Sequence, residues 1–117
     1  MAVRVLIVDD HPGFRAQARK LLEREGCMVV GEAEDCASAI KVARALVPEI
    51  ALVDVFLPDG DGFDLTGRLL ELPNPPVVVL TSSRDAAELE PCIAESGARG
   101  FVAKAELSRE AIEELVG

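Results

Sequence analysis

Tryptophan and tyrosine are absent from this chain, and four phenylalanines are its only aromatics, so it has no set of rings on which the bases of a single strand could stack. Positive charge is also scarce. Twelve lysines and arginines stand against 21 aspartates and glutamates, a net charge of −9, and no basic run occurs. A duplex or an anionic membrane would be repelled by the chain as a whole, which argues against direct nucleic-acid binding by these residues. No stretch of about 18 apolar residues exists to span a bilayer, and the N-terminus runs straight into an apolar segment without a basic leader. Neither a membrane span nor a signal peptide is expected. Cysteine is limited to Cys27, Cys36 and Cys92, an odd number, each in or beside an apolar segment. That predicts buried, reduced thiols in a cytoplasmic protein, with no disulfide frame and no cysteine metal site. What is present is 117 residues, half of them hydrophobic, which is one domain's worth of material burying roughly two thirds of its unfolded surface.

Two apolar runs carry the strongest signal. In I-A-L-V-D-V-F-L-P-D-G-D-G, Ile50 to Gly62, four apolar residues stop at the carboxylate of Asp54, and a proline and two glycines then break regular structure. This is the pattern of a buried strand delivering an acid to its own C-terminal tip. Val3 to Val8 does the same and ends on Asp9 and Asp10. If the two strands lie side by side and parallel, three carboxylates meet at one sheet edge. Their pairwise repulsion, on the order of 4 kcal/mol at ~4 Å and an effective dielectric of ~20, is costly without a cation. A divalent-metal site is the expectation.

The rest of the chain alternates. Phe14, Ala18, Leu21 and Leu22 form the apolar stripe of a surface helix that stops near Gly26. Met28 to Ala33 is a second strand. Cys36, Ile40, Ala43 and Val47 repeat at helical spacing and Pro48 ends that helix. Leu65, Leu69 and Leu72 mark a third helix, weakened by about 1 kcal/mol at Gly67 relative to alanine. Pro73, Pro75 and Pro76 lead into a strand over Val77 to Leu80. A fourth helix is expected within Ser83 to Ser96, with Pro91 producing either a kink or a late start. Gly100 to Ala103 is a fifth strand ending on Lys104, and Ser108 caps a last helix that turns Ile112, Leu115 and Val116 inward. Five βα repeats with strands this apolar imply an α/β fold: a five-stranded parallel sheet with helices on both faces.

Four motifs in order, V-D-D-H-P after strand one, D-V-F-L-P-D-G-D-G at strand three, V-V-L-T-S at strand four and F-V-A-K at strand five, resemble those of the receiver domains of bacterial two-component response regulators. The likeness covers essentially the whole chain, read as one receiver domain over residues 1–117. D-D-H-P-x-x-R, with His11 and Arg15, is similar to the subgroup commonly followed by a helix-turn-helix DNA-binding domain. The family's last helix commonly runs another turn or so past the position of Gly117, so a receiver cut from a longer regulator is expected.

The resemblance implies the flavodoxin-like strand order 2-1-3-4-5, which sets Asp9, Asp10 and Asp54 at the point where the winding reverses and ligands bind. It implies that Asp54 is the phosphoacceptor for a sensor histidine kinase. It implies Mg2+ held by Asp10 and Asp54, by Asp9 largely through water, and by the Phe56 backbone carbonyl. Lys104 and Thr81 would hold the phosphoryl group, and Phe101 would be an aromatic switch that turns inward with the Thr81 loop. The residues two past the acceptor and two past the threonine, Phe56 and Ser83, would flank the path of a hydrolytic water. A homodimer on phosphorylation and an output controlled by the helix 4, strand 5, helix 5 face follow from the same likeness. The chain would be a cytoplasmic phosphoacceptor switch that assists its own phosphorylation and slow dephosphorylation, not an enzyme acting on other substrates.

Plainer readings stand beside these. Asp9 and Asp10 also suit the start of a helix, Thr81 also ends a strand with Ser82 and Ser83 as substitute hydroxyls, and a Phe in a strand is usually core. His11 is read as a solvated turn residue, not a ligand. Asp59-Gly60-Asp61 is not a calcium loop, because Phe63, Asp64 and Leu70 occupy positions that such a loop reserves for other residues. Gly60 and Gly62 are not a dinucleotide fingerprint, since Leu65 replaces the third glycine. Two other functional classes are a receiver-like interaction module that never takes up phosphate and a Mg2+-dependent phosphatase with an aspartate nucleophile. The first usually lacks one of the site residues, and the second needs D-x-D after strand one and a cap.

Overall fold

Strands and helices alternate from end to end in the computed structural model, which describes residues 2–83 and 86–116. In chain order they are β1 (Arg4–Val8), α1 (Pro12–Arg24), β2 (Met28–Ala33), α2 (Cys36–Leu46), β3 (Ile50–Asp54), α3 (Gly62–Leu70), β4 (Val77–Ser82), α4 (Ala86–Ser96), β5 (Gly100–Ala103) and α5 (Arg109–Val116). The strands are all parallel and run β2-β1-β3-β4-β5 across the sheet. A two-residue antiparallel ladder, Phe56–Leu57 with Gly60–Asp61, and a 3-10 turn, Lys104–Glu106, complete the regular structure of the described residues.

Period-two alternation in the strands divides the core. Leu6, Val8, Ala51 and Val53 face one side, where Ala39 and Ala43 of α2 and Leu65 and Leu69 of α3 cover them, with Leu89 and Ile93 of α4 at the margin. Val5, Ile7 and Leu52 face the other, against Ala18 and Leu22 of α1 and Ile112 of α5. Val5 to Val8 and Ala51 to Val53 are fully buried, and each large side chain contributes about 1.5–3 kcal/mol by leaving water. Backbone polarity at the strand ends is therefore confined to the rims, where the loops lie.

The helix starts are capped locally. Asp35 and Ser38 form a reciprocal capping box on α2, Asp61 accepts the Asp64 amide at the start of α3 at 2.8 Å, and Ser108 accepts the Ala111 amide at 3.0 Å. Asp59 adds a second carboxylate to α2, accepting from the Cys36 amide at 2.8 Å and the Ala37 amide at 3.2 Å. Two acids of the D-G-D turn thus fasten helices.

Two expectations need correction and one is narrowed. Val47 does not extend the α2 stripe: it sits past the helix in a left-handed conformation with φ 48° and is exposed, because the residue before a proline is driven out of the right-handed helical region. Of the two outcomes expected at Pro91, a late start with the proline in the first turn is not found: Pro91 lies inside α4. The start expected near Ser83 falls in part on residues 84 and 85, outside those described, as does residue 117 at the other end. Cys92 is exposed, not buried, since it lies on the water side of α4. Cys27 and Cys36 are buried, and burial, reinforced by Asp59, pushes the Cys36 thiol up to about 12. All three are free thiols.

Candidate functional site

Parallel register brings the chemistry to one edge. Val8 pairs with Val53, Asp54 with Thr81, and Ser82 with Ala103, so Asp9, Asp54, Thr81 and Lys104 all emerge at the C-terminal ends of adjacent strands. Asp9 is tied down by its amide, which donates to the Ala33 carbonyl at 2.9 Å. Arg15, one turn into α1, donates to the Asp9 carbonyl and to Glu32 of β2 at 3.1 Å. These bonds stitch the loop after β1 to the neighbouring strand and helix.

Asp9 is 0% exposed and Asp54 3%, and one ammonium serves both. Lys104 Nζ lies 2.6 Å from Asp9 Oδ2 and 3.3 Å from Asp54 Oδ2, with the Phe14 ring 4.4 Å below it. The Phe56 amide donates to Asp54 Oδ1 at 3.3 Å. Burial raises the Asp54 carboxyl above the usual carboxylate range and the Asp9 charge raises it further, while Lys104 and the Phe56 amide act in the opposite direction. Two buried acids on one lysine leave a negative excess, and Asp10 beside them adds another carboxylate. Such a cluster is stabilised by uptake of a cation.

The donor chemistry fits a divalent ion. One oxygen from each of Asp9, Asp10 and Asp54 and one ring nitrogen of His11 all lie within 4.8 Å of one another, and three carboxylates with room for water suit Mg2+. Thr81 is 0% exposed and its hydroxyl oxygen has no hydrogen-bond partner among the described residues. An orphaned buried hydroxyl beside Asp54 is costly unless a bound group supplies its acceptor.

The structure therefore assembles five residues singled out in the sequence: Asp9, Asp10, Asp54, Thr81 and Lys104. Phe56 reaches Asp54 through its amide, and its side chain is 42% exposed. Phe101 is half-buried and packs against the core on the α2–α3–α4 side, beside Leu80 in register. His11 is exposed, as the sequence reading has it, and it also reaches two of the acids. It is solvated, with 68% of its side chain exposed, yet Nδ1 lies 3.0 Å from Asp9 Oδ1 and 3.1 Å from Asp10 Oδ1. Arg15 and Gly62 were not seen as site residues. A Cβ on Gly62 would come within 2.5 Å of the Asp54 carbonyl oxygen. The i to i+4 spacing from His11 to Arg15, one helical turn, was the available signal for the first.

Comparison with known proteins agrees with this arrangement. The family described as "Response regulator receiver domain" matches residues 5–116. The chain is 40% identical over 113 residues to a "Putative transcriptional regulator" of Pseudomonas aeruginosa, covering 97% of this chain and 53% of that protein. It is 39% identical over 110 residues to the "Virulence factors putative positive transcription regulator BvgA" of Bordetella pertussis, covering 93% and 52%. It superposes on the signal receiver domain of the putative response regulator NarL from Mycobacterium tuberculosis with a TM-score of 0.85 at 32% identity, over 99% of this chain and 98% of that one. The chain spans about half the length of the curated relatives it matches. No helix among the described residues is long and apolar enough to cross a membrane. Parallel order, acid cluster and strand-end lysine agree with a match that runs nearly from end to end, and the chain belongs to the response regulator receiver domain family.

Proposed function

We propose that this chain is a single receiver domain whose Asp54 accepts a phosphoryl group from a phosphohistidine of a sensor histidine kinase. The observation that carries this reading is the buried Thr81 hydroxyl, without a partner among the described residues, one strand over from Asp54 and on the same edge as Lys104. A carboxylate oxygen of Asp54 attacks phosphorus in line, the phosphorus–nitrogen bond to the kinase breaks, and the electron pair leaves with the imidazole. This transfer needs position and charge neutralisation more than acid–base chemistry. A magnesium ion on Asp10, Asp54, Phe56 and, through water, Asp9 would supply most of that neutralisation. Lys104 exchanges one of its carboxylates for a phosphoryl oxygen, and Thr81 donates its hydroxyl to another. Movement of the Thr81 loop then draws Phe101 inward and alters the α4–β5–α5 face.

The chain is in this reading a cytoplasmic switch, turning over only its own acyl phosphate. It controls a transcriptional output in a longer regulator, by analogy with relatives described as transcriptional regulators, and dimerises when phosphorylated. Incubation with a small phosphodonor and Mg2+, followed by intact mass, tests the acceptor. Wild type should gain the mass of one phosphoryl group and Asp54→Asn none; an equal gain on both removes Asp54 from the role.

A further inference from the structure

The His11 imidazole brings to the acid cluster a nitrogen donor that magnesium chemistry does not call for. It is the chain's only histidine and the N-cap residue of α1. Its backbone amide donates to Asp9 Oδ1 at 2.8 Å, so the main chain fixes where the ring can reach. Nδ1 then stands 3.0 Å from an oxygen of Asp9 and 3.1 Å from an oxygen of Asp10. Neighbouring ligands in an octahedral shell with bonds of ~2.1 Å are separated by ~3.0 Å, the bond length times the square root of two. Nδ1 therefore stands at the edge spacing of such a shell from each of the two carboxylate oxygens, and one oxygen of Asp54 lies within the same 4.8 Å group. In the tautomer with the proton on Nε2, toward solvent, the Nδ1 lone pair is turned to those oxygens.

We propose that His11 is a nitrogen ligand of the divalent-cation site formed with Asp9, Asp10 and Asp54, and that it makes the site prefer a borderline first-row metal of the nickel class over magnesium. The inference rests on reading the acid cluster as a cation site. Imidazole adds little to Mg2+, which prefers oxygen and retains its water, whereas nickel binds nitrogen donors strongly and lies well up the affinity order for mixed N/O sites.

Untagged protein is titrated calorimetrically with NiCl2 and, separately, with MgCl2, for wild type, His11→Ala and Asp10→Asn, each checked by thermal melting. Loss of even an outer-shell partner weakens metal binding about 10–100-fold, so His11→Ala should bind Ni2+ at least about tenfold more weakly while its Mg2+ affinity is unchanged. Asp10→Asn should lose affinity for both. The ring-proton resonances of His11, unambiguous in a chain with one histidine, should shift or broaden with Ni2+ in wild type and much less in Asp10→Asn. Equal Ni2+ affinity in wild type and His11→Ala overturns the proposal. So does Ni2+ binding that needs His11 but survives Asp10→Asn, which would be an isolated surface imidazole. If wild type binds neither metal, the cation site itself falls. If it binds Mg2+ but shows no dependence of Ni2+ on His11, only the ligand role falls.

Discussion

Thr81 is the register partner of Asp54 across the β3–β4 pair, and its fully buried hydroxyl has no hydrogen-bond partner among the described residues. Leaving a hydroxyl unpaired inside a protein costs about 1–3 kcal/mol by mutational measures. Replacing it with an apolar group of the same shape is near neutral or stabilising. Thr81→Val should therefore melt at the same temperature as wild type or higher, gaining up to ~1 kcal/mol, while responding poorly to phosphorylation. Thermal melting, with hydrogen exchange of the α4–β5–α5 face before and after phosphodonor, measures both. A clearly destabilised Thr81→Val would mean that the hydroxyl has a structural partner and is not held in reserve for phosphate.

Asp54→Asn has a second expected effect, on stability. Burial first and the Asp9 charge second raise the Asp54 carboxyl, so the folded chain holds that proton more tightly than the unfolded chain does. The stability linked to the protonated group is present below the ordinary carboxylate value of about 4 and is lost as pH rises through the folded value. The neutral amide escapes that loss. Asp54→Asn should melt above wild type at pH 7, by a margin that shrinks toward about pH 4. Mg2+ at about ten times its Kd should stabilise wild type by ~1.4 kcal/mol and the variant by less. A variant that melts below wild type at pH 7 would show that the pairing of Asp54 with Lys104 outweighs its burial.

Gly62 opens α3 with no room for a side chain. A Cβ there would stand 2.5 Å from the Asp54 carbonyl oxygen and 2.9 Å from the Val55 Cα, both main-chain atoms that cannot swing aside. Gly62→Ala should cost about 1–3 kcal/mol, the usual range for overpacking, and should slow phosphoryl uptake by moving the backbone that bears Asp54. Gly67→Ala is the control, because nothing lies within 4 Å of its Cβ position and alanine favours the helix by about 1 kcal/mol. Equal stability losses in both variants would refute the close-approach argument.

Much of this fold was legible because the strands are apolar runs cut by residues with fixed backbone meaning. The expected bounds of Met28–Ala33 and Gly100–Ala103 coincide with β2 and β5. Acids and a lysine at strand tips were legible as a site because parallel strands can present tips only at one edge. Periodicity failed where one residue served two elements: Val47 kept the helical spacing, but Pro48 bars it from the right-handed helix, and it closes α2 as a left-handed cap. Cys92 was misplaced because an apolar neighbourhood in sequence does not fix a helix face. His11 and Asp59 could not be placed from spacing at all, since their partners are set by loop geometry. His11 turns back on the two preceding acids, and Asp59 reaches the amides of Cys36 and Ala37 across 23 and 22 positions.

The lifetime of the phosphorylated state turns on Phe56. If Asp54 is the phosphoacceptor, as proposed, hydrolysis needs a water in line with phosphorus, and the resemblance drawn from the sequence would set Phe56 and Ser83 beside that approach. Both are exposed, whereas Asp54 and Thr81 beneath them are buried, as residues at the mouth of a site should be. The Phe56 amide is on Asp54 and its ladder partner is Asp61, so its backbone is anchored on both sides while its side chain is 42% exposed. A phenyl ring offers an approaching water no hydrogen bond. Forfeiting ~1.4 kcal/mol of orientation slows the step tenfold. Phospho-Asp54 is thus expected to be long-lived, and Phe56→Asn, which supplies an amide at the same place, should shorten its life by up to about tenfold on that arithmetic. The loss of the phosphorylated mass over time in Mg2+ measures this directly. Melting curves for the same two proteins separate orientation from packing, because a ring that merely packs over the loop would alter stability and leave the decay rate alone. Decay in Phe56→Asn equal to or slower than wild type removes the shielding argument.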